Sequence, residues 1–169
     1  MENIDDRRQL TMSEMMTPEK ANFAGNIHGG YILQLLDKVA YACAARYSGH
    51  YVVTLSVDQV LFKQPIHLGE LITCYANINY VGRTSMEVGI KIVAENLETG
   101  ETRHTNSCYF TMVSLDKNSK PVAVKPLELR NDIERQRHEE ALLRKEMVQV
   151  ASQEHNRRKL ALKAQFEKK

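Results

Sequence analysis

Tryptophan is absent from this sequence, and cysteine, proline and glycine are sparse at three, four and eight residues among 169. Apolar runs are short as well. None approaches the roughly 20 residues that cross a bilayer, so no membrane insertion is expected. The first residues, MENIDDRRQL, are polar and partly acidic, so no secretory signal is expected there. Cys43, Cys74 and Cys108 lie more than thirty residues apart with no CxxC pair. An odd, scattered set is no disulfide framework, and three buried thiols in a reducing, cytoplasmic setting are expected. Charge of one sign is missing too: 23 Lys and Arg against 21 Asp and Glu leave a formal +2, which gives no reason to expect a nucleic-acid partner. The six histidines never fall at ligand spacing with cysteines or carboxylates, so no metal site is expected. No G-x-S-x-G, GxGxxG or P-loop occurs.

What is present is a regular alternation of element signals. Residues 7–17 (RRQLTMSEMMT) read as a short strand closed by Pro18, followed by the irregular loop ANFAGNIHGG. Residues 31–47 (YILQLLDKVAYACAARY) hold no Gly or Pro and are apolar on nearly every face, which predicts a helix wrapped on all sides. Ser48-Gly49 stops it. Strands are predicted over 51–62, 70–81, 84–96 and 101–115, the last three joined by short Gly turns into an antiparallel meander. The fold class is therefore α+β: one antiparallel sheet whose concave face lies around a long central helix, with an edge that pairing across a two-fold axis can cover.

A second region begins near residue 126. Residues 1–125 form the domain just described, whereas 126–169 carry eleven Lys and Arg against eight Asp and Glu. Ile133, Leu142, Leu143, Met147 and Val150 recur at near-helical spacing, and Glu140 and Arg144 stand as an i,i+4 pair. A solvated C-terminal helix docking one thin apolar edge is predicted, fraying after about Ala151.

Three features can carry chemistry. Asp37 lies mid-helix and shares its face with Leu33, Leu36, Ala40 and Tyr41. A carboxylate buried there must pair, raise its pKa or face a cleft, and a poised carboxylate suits a general base or nucleophile. An aspartate at a subunit seam, met by a partner's side chain, fits the same position. The second feature is Asn22 to Gly30. Gly29 and Gly30 allow close approach to the helix N-terminus, whose free amides can hold an oxyanion. A His-Gly-Gly turn with a structural His28, and loop-bracing Asn22 and Asn26, account for the same residues without chemistry. The third is Val81-Gly82-Arg83-Thr84-Ser85, which is either a plain hairpin turn or a phosphate-binding turn. His104, Thr105, Asn106 and Ser107 form a polar patch suited to a subunit contact or a cofactor groove.

In order, ANFAGNIHGGYILQLLDKVAY, VTLSVDQVLFKQPIHLGE, VGRTSMEVGI and HTNSCYFTMV resemble the cytosolic acyl-CoA hydrolases of the hotdog superfamily, in both the bacterial single-domain and brain-type members. The similarity runs from about residue 9 to 128. It implies a hotdog thioesterase domain over 1–125 and a helical extension over 126–169. It further implies a homodimer, commonly assembled as a trimer of dimers, that takes acyl-CoA at its subunit interface without a separate cofactor. By position, Asp37 matches the family's catalytic acid and Asn22 the catalytic asparagine supplied by the other protomer. His28, Gly29 and Gly30 fall at the thioester-carbonyl site, and Gly82, Arg83, Thr84 and Ser85 at the CoA loop. The expected reaction is hydrolysis of fatty acyl-CoA to free acid and CoA. The competing readings are a hotdog enoyl-CoA hydratase or dehydratase, and a non-catalytic acyl-CoA-binding regulator.

Overall fold

Helix formation starts at a histidine. His28 stays extended at φ −66° and ψ 127°, and its Nδ1 accepts the Gly30 N–H at 3.0 Å, capping α1 (Gly29–Ser48). That cap draws Gly29 and Gly30 into the first turn, so the helix begins two residues before the predicted 31. It ends where Gly49 takes a left-handed φ of 73°, its N–H returning to the Ala45 carbonyl, a backbone that glycine adopts without a Cβ penalty.

The computed structural model describes residues 7–58 and 60–166. The first six residues of the polar N-terminus, Gln59 of the predicted second strand and the last three residues of the C-terminal region lie outside the described residues. Five strands, β1 (Gln9–Met15), β2 (Tyr51–Val57), β3 (Glu70–Val81), β4 (Ser85–Asn96) and β5 (Thr102–Leu115), form one antiparallel sheet in the order β1-β3-β4-β5-β2. The predicted meander is β3-β4-β5, and α1 carries the chain from one sheet edge to the other. β2 stops five residues short of the predicted 62. After Asp58 N–H bonds the Tyr109 carbonyl, the chain leaves the ladder and Ile66 turns into the core.

The core follows from two periodicities. Along α1 the stripe Ile32, Leu35, Leu36, Val39, Ala40, Cys43 repeats every three then one residues, and all six are buried. Facing it are alternate sheet residues such as Ile72 and Ile78 of β3, Val88 and Ile92 of β4, and Phe110 of β5. Burying each such aliphatic chain stabilises the fold by about 1.5–3 kcal/mol. Cys43, Cys74 and Cys108 are free and buried within this layer, and burial pushes each thiol up to about 12. They are unreactive packing residues at neutral pH.

The expectation that α1 is wrapped on every side is corrected here. Its second face is open: Leu33 and Tyr41 are 40% and 41% exposed, and Asp37 between them is exposed as well. Apolar composition reported contact surface on both faces, but in one protomer the sheet covers only one of them.

One buried ion pair fixes the loop that leads into β3. Arg103 on β5 holds Glu70 in two bonds of 2.5 and 2.8 Å and also donates to the Pro65 carbonyl, while the His67 amide donates to Glu70. Burial pushes the Glu70 carboxyl up, but the Arg103 and His67 bonds outweigh it and hold the group below its ordinary 4.5. Its stabilisation is therefore complete above pH 4.5 and is lost as the pH falls through the lower folded value. Glu70→Ala, which leaves Arg103 unpaired, is expected to cost roughly 2–4 kcal/mol in denaturant melts at pH 7; the range is discounted because Arg103 is partly exposed. The gap from wild type should close as the pH is lowered below 4.5. A gap that stays constant with pH would contradict this assignment.

The chain divides into two compact units, Met1–Glu128 and Leu129–Lys169. The second contains α2 (Asp132–Phe166), one uninterrupted helix rather than a helix that frays at Ala151. Asn131 caps it by accepting the Glu134 amide at 2.9 Å, and the Glu134 carboxylate accepts the Arg130 amide. The predicted apolar positions Ile133, Leu142, Leu143, Met147 and Val150 lie along this helix. Charge pairs run along its own surface, including Glu140 with Arg144 and Glu154 with Arg157 and Arg158. Among the described residues no helix is long and apolar enough to cross a membrane.

Candidate active site

The helix start is built from the loop before it. His28 donates its backbone N–H to the Lys20 carbonyl at 2.9 Å, and its own carbonyl accepts the amides of Tyr31 and Ile32. With Gly30 N–H bonded to His28 Nδ1, three of the first four helix amides are engaged. This corrects the expectation for Gly30: of the two glycines, only Gly29 has an amide without a partner among the described residues. The Phe62 ring lies over it, 3.7 Å from where a Cβ on Gly29 would stand. Because Nδ1 accepts, a neutral His28 ring carries its proton on Nε2 and is a donor there.

Asn22 is both braced and available. Its Oδ1 accepts the amides of Ala24 at 2.9 Å and Asn26 at 3.2 Å, closing an Asx turn around Gly25, which takes a φ of 79°. The bracing role weighed from sequence is thus real, but it uses only the oxygen. The Nδ2 amide has no partner among the described residues, and its two hydrogens can be donated to a carbonyl. Asn26 Oδ1 meets His67 Nδ1 at 3.0 Å, tying this loop to the chain before β3.

Asp37 is exposed on the open face of α1, not buried as expected, and it is not isolated. Thr54 Oγ1 on β2 donates to its Oδ1 at 2.6 Å, leaving Oδ2 for other work. Thr54 stands where the β2–β5 register slips between Thr54 and Ser56, and such bulges re-aim side chains. Around the pair lies apolar surface: Leu33 and Tyr41 one helical turn on either side, and Leu55 of β2, 68% exposed. β2 is an edge strand, so its outer backbone is unpaired within the sheet.

Within one protomer these groups remain apart. Asp37 is eight residues beyond Gly29, about 12 Å along the helix axis, and its recorded partner is Thr54 rather than His28 or Asn22. Gly82, Arg83, Thr84 and Ser85 form the β3–β4 turn, closed by Gly82 N–H to the Ser85 carbonyl and pinned to Ser114 and Val124. Asn26 and His67 stand instead beside the first residue of β3. Twelve strand residues, roughly 40 Å, separate the two ends. In the polar patch on β5, Thr105 and Asn106 are 2% exposed at a bulge and His104 Nε2 bonds the Asn106 carbonyl and Ser107 Oγ, while the buried Asn106 Nδ2 has no hydrogen-bond partner among the described residues. Among the described residues no cluster of His, Cys, Asp and Glu can hold a metal. Sequence reasoning missed Thr54, His67 and Phe62, each of which lies inside a segment that reads only as strand or loop.

A single long helix wrapped by a five-stranded antiparallel sheet, with a carboxylate on its open face, defines a hotdog-fold protein. The thioesterase superfamily pattern matches residues 24–101. The chain is 54% identical over 142 residues to protein VdlD of Helicobacter pylori, a match spanning 84% of this chain and 81% of that protein. It superposes on an apo-hexameric acyl-CoA thioesterase with a TM-score of 0.84 and 32% identity, covering 87% of this chain and 94% of the other. The acyl-CoA hydrolase of Staphylococcus aureus, solved with butyryl coenzyme A and coenzyme A, aligns at a TM-score of 0.81 and 27% identity over 88% and 91% of the two chains. Further structures of that enzyme carry alanine for an aspartate, an asparagine or a threonine. The aspartate lies fifteen residues after the asparagine, and the threonine seventeen after the aspartate. The chain therefore belongs to the acyl-CoA thioester hydrolases of the hotdog superfamily.

Proposed function

We propose that this protein hydrolyses fatty acyl-CoA to free acid and CoA in sites shared between two protomers, with Asp37 and Thr54 from one and Asn22 from the other. The observation that carries this reading is the exposed Asp37, oriented by Thr54 and set in apolar surface beside an unpaired strand edge. Alone, that surface leaves a carboxylate in open solvent. Pairing β2 with a second β2 across a two-fold axis covers the edge and encloses the carboxylate. Asn22, Asp37 and Thr54 also stand at the same two spacings as the residues changed to alanine in the Staphylococcus enzyme.

In this site the thioester oxygen takes hydrogen bonds from Gly29 N–H and Asn22 Nδ2, the two donors left unengaged. As the carbonyl becomes tetrahedral, these stabilise its negative charge. Asp37 acts through Oδ2, either as general base on a water or as the nucleophile itself. Thr54 holds the other oxygen and so fixes the carboxylate plane. CoA then departs as a thiolate, which needs no strong acid. His28 is a positioning cap with its Nε2–H directed outward. The exposed Arg83 on the Gly82–Ser85 turn is placed to meet CoA phosphate from a neighbouring subunit. A trimer of such dimers, with six subunits as in the hexameric neighbour, gives that turn a route to a site it cannot reach in its own protomer. The buried thiols suit a cytoplasmic setting.

The hydratase alternative requires a histidine coupled to the carboxylate, whereas within one protomer His28 lies nine residues before Asp37 at the start of α1 and the side-chain partner of Asp37 is Thr54. The test is free-thiol release from acyl-CoA by the purified protein in the presence of a chelator. Steady thiol release without added metal is expected. Hydration of enoyl-CoA with no free thiol would transfer the assignment to the hydratases. Saturable acyl-CoA binding with neither reaction would make it a binding regulator.

A further inference from the structure

Asn22 lies on a loop whose stem closes like a small hairpin. Ala21 pairs with Ile27, Asn22 N–H bonds the Asn26 carbonyl at 2.6 Å, and His28 N–H bonds the Lys20 carbonyl at 2.9 Å. Lys20 is thus the last residue before the loop and the partner of the helix cap after it. Its side chain is only 11% exposed, unusual for a lysine. Nζ donates to Glu14 Oε1 at 2.7 Å and to the Met15 carbonyl at 2.6 Å, both on β1. It also stands 5.0 Å over the ring of Tyr31 in the first turn of α1, and the Tyr31 hydroxyl donates to the same Glu14 oxygen. One ammonium therefore joins strand, loop and helix.

We propose that Lys20, held by Glu14 and Tyr31, is a positioning residue that fixes the direction of the Asn22 amide toward the thioester. This rests on the thioesterase reading above. An ordinary surface pair would contribute little. Here the cation has two acceptors and an aromatic face, and its own main chain carries the stem bond. Burial alone would draw Lys20 down, but Glu14 and Tyr31 raise it; burial alone would push Glu14 up, but Lys20 and Tyr31 lower it. Both groups stay charged at neutral pH. The far side of the loop has separate anchors, Ile27 N–H to the Ile66 carbonyl at 2.8 Å and Asn26 to His67. Losing Lys20 therefore leaves the fold and the far anchor in place and loosens the near side of the loop, where Asn22 lies. Small misplacements of positioning groups cost turnover heavily while leaving remote substrate contacts intact.

The test uses Lys20→Met, Lys20→Arg and the milder Glu14→Gln in the full-length protein, each in wild-type and Asn22→Ala backgrounds. Steady-state thiol release and amide hydrogen exchange are the two readouts. Lys20→Met is expected to lower kcat about tenfold or more with KM within about threefold, and Lys20→Arg to recover most of the loss. Exchange should accelerate at His28 and Gly25 but not at Ile27, which Ile66 holds. In the Asn22→Ala background, Lys20→Met should change kcat less than about twofold, because its effect passes through Asn22. If Lys20→Met does not fold, Glu14→Gln carries the same comparison with a smaller effect. An equal loss of kcat in both backgrounds, or unchanged exchange at His28 and Gly25, would overturn the positioning role. Absence of thiol release from the wild type would instead overturn the thioesterase reading, and the catalytic part of this proposal with it, while the exchange data still decide whether Lys20 holds the loop.

Discussion

Asp37→Asn is expected to lower turnover at least about a hundredfold, the lower end of what a general base supplies, with stability changed by no more than about 0.5 kcal/mol. The asparagine has nearly the same shape, and its Oδ1 can still accept the Thr54 hydroxyl, so the orienting bond survives. What it cannot do is take a proton from water or attack a carbonyl. Because Asp37 is exposed in the protomer, removing its charge relieves no burial cost within the chain; any relief arises in the assembly that encloses it, so the assembled protein should melt at the same temperature or higher. Paired measurements of kcat and of denaturant melts check both halves. Were Asp37 instead one member of a buried ion pair across the seam, the same change would destabilise by roughly 3–5 kcal/mol and leave turnover largely intact.

Asn22 separates two roles by atom. Asn22→Asp keeps the oxygen that braces Ala24 and Asn26 but replaces the donor amide with a negatively charged oxygen. Asn22→Ala removes both. If the donor is what matters, both variants should lose about a hundredfold in kcat, comparable to removing one oxyanion-hole donor, and Asn22→Asp should keep the loop ordered. If bracing is the whole role, Asn22→Asp should retain nearly full turnover and only Asn22→Ala should fail. Steady-state kinetics of the two proteins, with amide exchange at Asn26 as the report on the loop, distinguishes these outcomes.

How far the sequence reveals this depends on the range of each interaction. β3 was legible to the residue, because Glu70–Val81 is bounded by Gly69 and Gly82 and its first half alternates from Glu70 to Ala76. The central helix was legible apart from its first turn, whose start is set by a histidine side chain bonding two residues ahead. The burial of Asp37 was misjudged because apolar spacing does not say which protein covers a face. Leu33, Leu55 and Tyr41 have interior-like character, yet their own chain leaves all three exposed. Thr54 was invisible for another reason: in YVVTLSV a threonine reads as an ordinary strand residue, and only the meeting of β2 with α1 gives it a carboxylate. Lys20 belongs to the same class, since its acceptors come from β1 and its aromatic face from α1. The extent of α2 was underestimated because the apolar signal weakens after Val150, while the bonds that continue the helix are charge pairs such as Glu154 with Arg158. Gly82–Ser85 was correctly placed as a turn, but its distance from Asn22 within a protomer follows only from the sheet.

The claim that the site is shared between protomers is tested most directly by mixing two inactive proteins. Asn22→Ala and Asp37→Ala, combined in equal amounts under conditions where subunits exchange, yield heterodimers in about half of the pairs. In each heterodimer one site has both alanines, and the other has the intact Asn22 of one chain facing the intact Asp37 of its partner. Thiol release should therefore rise from near zero to about a quarter of the wild-type rate as exchange proceeds, tracking heterodimer formation followed independently with a labelled protomer. Complete exchange with no recovery of activity would contradict the account, and would mean that Asn22 and Asp37 serve a site within one chain.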